Sequence, residues 1–176
     1  MNLSPHFPLA ELTVTGRPDA GDADGDGNTN ETIPNEPGAA ELKALTLLAL
    51  RVLEPVRAVV LACGGRGLKV TSGFRSRALN LAIKGSKGSE HLKGEAADTR
   101  PIGTSVAVVF GKVAAIVRAG GLPVDQLILY PRGGFFHVSI ALGPAAPKCE
   151  VLVSAAAGGS GGPYEPYRGS RDRYCG

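Results

Sequence analysis

The chain has 176 residues, a formal net charge of +3, 25 glycines, few aromatic residues and no tryptophan. That length fits one domain with a core of its own and short peripheral segments. The charge is too small, and the lysines and arginines too scattered, for a nucleic-acid binder, and no apolar run is long enough to span a bilayer.

In chain order, residues 1–15 read as an N-terminal lead-in segment, where Phe7, Leu9, Leu12 and Val14 can pack and Pro8 can sit in a first helical turn. Its first residues lack the basic-then-apolar pattern of a signal peptide, so action outside a cell would need another means of delivery. Residues 16–38 are rich in Gly, Pro, Asp and Asn and are predicted as a loop. Within it Asp22, Asp24 and Asp26 alternate ahead of Gly27, as in the first half of a calcium-binding loop. Such a loop closes on a glutamate where this chain has Ile33, and Glu31 falls early. A Ca2+ site and a solvated acidic loop held by Asx-turns both stay open.

Residues 39–63 carry the main helical pattern. Leu42, Leu45, Leu48 or Ala49, Val52 and Val56 recur at helical spacing, and Glu41, Lys43, Arg51, Glu54 and Arg57 are left for the polar side. Pro55 should kink or divide this helix, and Gly64 with Gly65 should end it. A strand over 68–72, a turn over 73–75, a short helix over 76–83 and a Gly/Ser/Lys-rich loop over 84–88 follow. A second helix is predicted over 104–119, then strands over 126–130 and 135–140 joined by a turn at 131–134. Residues 155–176 are predicted as a flexible or partner-ordered C-terminal tail. Cys63, Cys149 and Cys175 have no metal-type spacing and read as free thiols, with one bridge allowed. The pattern predicts an α+β domain over 39–154, a central antiparallel sheet with flanking helices.

The chemistry concentrates in SEHLKGEAAD, residues 89–98. His91 precedes Asp98 with Gly94 between them, and His137 follows in an apolar strand. Singly, His91 would be an exposed loop histidine and His137 a packed strand histidine. Two imidazoles and one carboxylate together form a common three-ligand set for catalytic zinc, which leaves the fourth position open for water.

Ser89, His91, Gly94, Ala96 and Asp98 match the pattern S-x-H-x-x-G-x-A-x-D. This resembles the zinc peptidases of the D-alanyl-D-alanine carboxypeptidase group, which share a fold with lysostaphin-type enzymes and hedgehog proteins. LSPHFPLAEL at 3–12, LEPVR at 53–57, VTSGFRS at 70–76 with Leu79 and Asn80, and DQLI at 125–128 are similar to the phage and prophage branch, so the resemblance spans residues 1–142. It implies Zn2+ as cofactor, peptidoglycan stem peptides as partner and substrate, and cleavage of their peptide bonds. It also implies a place in the virion tail or in lysis, with the protein made in the host cytoplasm before delivery to the wall. The C-terminal tail could then order against phage tail proteins. By the resemblance His91, Asp98 and His137 are the zinc ligands, Arg75 faces the substrate carbonyl or carboxylate, and Ser89 supports the loop or touches substrate. Several relatives supply a general base three residues before the last histidine, and here that position is Gly134. Tyr130 is left as a candidate for polarising or positioning substrate. A catalytically degenerate protein serving as a tail component or wall-binding module is the alternative.

Overall fold

The computed structural model describes residues 1–15, 32–144, 146–154 and 163–169. Asp22, Asp24 and Asp26 of the candidate calcium loop, and Cys175, lie outside the described residues; Cys63 and Cys149 are free thiols. No helix among the described residues is long and apolar enough to cross a membrane.

A short helix, α1 (Leu9–Leu12), is followed by α2 (Ala39–Leu48), a π turn (Ala49–Leu53) and α3 (Glu54–Ala62). The last three run on as one helical rod, and the π turn is how Pro55 is accommodated. In an α-helix its ring would collide with the carbonyl four residues back. The Glu54 N–H instead reaches the Ala49 carbonyl, five residues back, and widens the turn just before the proline. Val52 and Leu53 stay fully buried through this turn. At the far end Gly64 takes φ of 75° and the Gly65 N–H closes on the Val60 carbonyl, which stops the helix where the glycine pair predicts.

The strands are β1 (Gly67–Ser72), β2 (Ala96–Ile102), β3 (Val124–Tyr130), β4 (Phe135–Ile140), β5 (Glu150–Ser154) and β6 (Tyr164–Pro166), with α4 (Arg77–Ala82) and α5 (Val106–Arg118) between them. They form one α+β sheet in the order β1-β2-β4-β3-β5-β6. All neighbours are antiparallel except β3 and β5. β4 ends where β3 begins, so the chain rounds that end and re-enters beside β3 in the same direction. Asp125 clasps the connection by accepting from the Lys148 N–H and ammonium at 3.0 and 2.9 Å.

Alternation along the strands sorts side chains to two faces. Ala97, Leu127, Leu129, Phe136, Val138 and Ile140 join Val60, Val109, Phe110, Val113 and Val117 of α3 and α5 in the core. The intervening residues Asp98, Ile128, Tyr130 and His137 line a cleft on the opposite face. The lead-in segment covers the β1 edge. Glu11 accepts the Val70 N–H at 2.9 Å, the Leu12 carbonyl accepts the Phe74 N–H at 2.7 Å, and Leu3, Phe7 and Leu12 are buried.

Part of the stretch predicted as a tail is folded onto the domain. β6 pairs with β5, and Tyr167 is buried with its ring edge-on to Phe110 at 4.9 Å. The Arg118 guanidinium lies over that ring and donates to the Tyr167 carbonyl. An aromatic that can fill a notch beside α5 outweighs the Gly- and Ser-rich composition around it.

Candidate metal centre and active-site cleft

His91 sits on a 3-10 turn (Glu90–Lys93), Asp98 on β2 and His137 on β4. The turn ends in Gly94, whose φ of +69° is a left-handed conformation. A Cβ there would lie 2.6 Å from the Glu41 carbonyl oxygen, so glycine lets the turn press against α2. Asp98 and His137 are direct cross-strand partners in the β2–β4 ladder, and His91 is lowered onto them from the turn.

The three side chains converge. His91 Nε2 lies 3.2 Å from His137 Nδ1 and 3.4 Å from Asp98 Oδ1, and the latter two atoms are 3.0 Å apart. Ligands about 2.0–2.1 Å from a shared ion in a tetrahedral array stand about 3.3 Å apart. The cluster therefore has the spacing, as well as the nitrogen and oxygen donors, that suit zinc, and it could hold a metal ion. The second imidazole nitrogens add to the fit. His91 Nδ1 stands 2.7 Å from the Gly73 carbonyl, which can only accept, so the proton is on Nδ1 and the Nε2 lone pair faces the cluster.

The electrostatics follow from burial against charge. Burial alone would raise the Asp98 carboxyl, but the adjoining His91 and His137 imidazoles hold it well below the usual carboxylate range. Burial pushes His91 down, only partly offset by Asp98. Burial also works against His137, yet hydrogen bonds to Asp98 and Glu90 win, and it is pushed up to about 9. Arg75 secures Asp98 from the other side. Its Nη2 donates to Asp98 Oδ2 at 2.7 Å while Nε donates to Ser72 Oγ at 2.8 Å, which leaves Oδ1 for the cluster.

The cluster lies in an open cleft of about 370 Å³. Arg75, Ser89 and Tyr130 line it too, so the structure brings together every described residue that the sequence singled out for metal or substrate. Tyr130 stacks on Phe135 with centroids 4.6 Å apart, and its hydroxyl is 3.3 Å from that of Tyr164. Burial, the Tyr164 hydroxyl and the Asp98 charge all push the Tyr130 hydroxyl up, so it remains a protonated donor. Gly134 takes φ of 65° in the turn before β4, with its N–H on the Tyr130 carbonyl, and offers no acid.

Glu90 and Tyr164 are among the cleft residues that the sequence pattern does not single out. Glu90 enters from the 3-10 turn, with Oε2 3.6 Å from His137 Nε2. Burial acts to raise its carboxyl, but hydrogen bonds from His137 and Ser139 keep it below the ordinary range. Glu90 occupies a variable position of the ligand pattern, so the pattern carried no signal for it. Tyr164 comes from β6, beyond the stretch over which the resemblance was traced.

Two imidazoles and a carboxylate set on a sheet face, at the floor of an open cleft, define a metal-dependent hydrolase type of site. The sequence profile of one family, Peptidase M15, matches residues 6–139, and the chain belongs to that family of zinc D-Ala-D-Ala carboxypeptidase-like peptidases. A comparison with curated proteins gives no match.

Proposed function

We propose that the protein is a zinc peptidase that hydrolyses peptide bonds in the stem peptides or crosslinks of peptidoglycan. The observation that carries this reading is the convergence of His91 Nε2, Asp98 Oδ1 and His137 Nδ1 at the floor of the cleft, within the stretch matched by the Peptidase M15 profile. These three residues would hold the ion. Bound there, zinc would supply the Lewis acidity that polarises a carbonyl and acidifies a water. Arg75 keeps Asp98 in its one-oxygen posture and presents a fixed positive charge to a substrate carbonyl or carboxylate. Tyr130 donates a hydroxyl hydrogen to substrate oxygen, held in place by its stacking on Phe135. Ser89 lies on the cleft wall, a position that suits either support of the loop or contact with substrate. The segments similar to phage and prophage relatives support a virion-associated or lysis role, with the cell wall as the site of action.

Purified protein incubated with cell-wall sacculi is expected to release new amine termini, and a chelator is expected to abolish the release. No release in either tube would overturn the reading. A second reading, a degenerate peptidase fold serving as a tail or wall-binding component, is favoured by Gly134 standing where several relatives carry an acid. It requires His91→Ala and Asp98→Ala variants to keep assembly or wall binding while the parent releases no amines.

A further inference from the structure

Each imidazole of the cluster turns one nitrogen towards the other ligands and one away. The outward nitrogen of His91 is met by the Gly73 carbonyl. The outward nitrogen of His137, Nε2, faces Glu90 Oε2 at 3.6 Å. We propose that Glu90 is a positioning residue for His137. Its carboxylate accepts the outward N–H, fixes the tautomer that leaves a lone pair on Nδ1, and aims that lone pair at the point where His91 Nε2 and Asp98 Oδ1 converge. The proposal rests on the cluster being a metal centre, as read above.

The two nitrogens of a neutral imidazole are linked: an acceptor that holds the proton on one makes the other a ligand. For His91 a backbone carbonyl does this. Beside His137 the β4 backbone is flanked by β2 and β3 and committed to the ladders, so an acceptor for Nε2 has to come from a side chain. Of the neighbouring carboxylates, Asp125 holds Lys148 at 2.9 Å and adjoins Glu90 rather than the ring, and Glu95 pairs with Lys93 at 3.7 Å. Glu90 is brought to the ring by the backbone. Its carbonyl accepts from the Glu95 N–H at 3.1 Å, which closes the turn that also carries His91. One turn thus delivers a ligand and the acceptor for a second ligand. The 3.6 Å separation is an ion-pair distance, and a side-chain shift of about 0.6 Å makes it a hydrogen bond. Glu90 meets the ring at the nitrogen turned away from the other ligands, so its action passes through His137. An outer carboxylate of this kind also raises the basicity of the ligand it holds.

The experiment is a zinc titration of the parent, Glu90→Ala and Glu90→Gln against a chromophoric chelator, with visible spectra of the cobalt-loaded proteins. Glu90→Ala is expected to lose affinity by about 10- to 100-fold and to alter the cobalt bands. Glu90→Gln keeps a carbonyl acceptor at the same reach and is expected to recover most of the loss. Melting curves of the metal-free variants are expected to match the parent, because the Glu90 side chain is partly open to solvent. Unchanged affinity in Glu90→Ala, or an equal loss in both variants, would overturn the positioning role. A parent that takes up no zinc would instead overturn the metal-centre reading beneath it.

Discussion

Gly94 shows how much a single residue contributes to the ligand set. Its left-handed φ and its approach to the Glu41 carbonyl leave no room for a side chain, and a Cβ would also stand 3.0 Å from Leu45 Cγ. Gly94→Ala is expected to cost about 2 kcal/mol or more in urea unfolding and to weaken zinc uptake, because the turn carrying His91 must move off α2. An Ala variant as stable as the parent would refute this account. The same residue shows what was legible. Ser89, His91, Gly94 and Asp98 lie close in the chain, and the need for a turn between two ligands is written in their spacing. Glu90 was not legible, since its role depends on His137, which reaches it only through the β2–β4 pairing. Gly134 marks the reverse case. The absent acid is plain in the sequence, but the left-handed turn that suits glycine there is visible only in the backbone.

Among the elements, the long helices were the most legible, because Val109, Val113 and Val117 or Leu45, Leu48 and Val52 repeat on one side over several turns. β2 gave no such signal. It runs between β1 and β4, with Ala96, Ala97 and Thr99 fully buried, and its small residues and Pro101 do not resemble a strand in isolation. β6 was hidden for a different reason. It is a short segment held by one anchor, Tyr167, and it carries Tyr164 to the cleft wall. Tyr167→Ala is expected to lower stability by about 3 kcal/mol, whereas Tyr164→Ala, at a side chain 41% exposed, is expected to cost less than about 1 kcal/mol. Thermal melts of the two variants distinguish an anchor from a cleft-wall residue, and equal losses would contradict the assignment.

Over the whole molecule, the lead-in segment ties the helical layer to the sheet. Glu54 of α3 accepts from the Ser4 hydroxyl at 2.7 Å and the His6 N–H at 2.9 Å, and pairs with the His6 ring at 2.8 Å. Burial acts to raise the Glu54 carboxyl, yet these hydrogen bonds prevail and hold it below its ordinary value of 4.5. A carboxyl depressed in the folded state stabilises at pH values above the unfolded pKa, and its contribution is lost as pH falls through the folded pKa. Glu54→Gln is therefore expected to be less stable than the parent by about 1 kcal/mol at neutral pH. The gap should narrow below about pH 4.5 in a denaturation series, and a gap that widens on acidification would reverse the sign. A last consequence concerns errors of assembly. Asp98 and His137 face each other across β2 and β4, and strand side chains alternate. A slip of β2 by one residue against β4 would turn Asp98 into the helix-covered core and present Ala97 to the cleft, while His137 kept its place. It would bury a charged carboxylate away from its partners and expose an apolar side chain, a strongly unfavourable exchange. The register that assembles the site is thus proofread by the core: a misaligned sheet cannot persist as a stable but inert molecule.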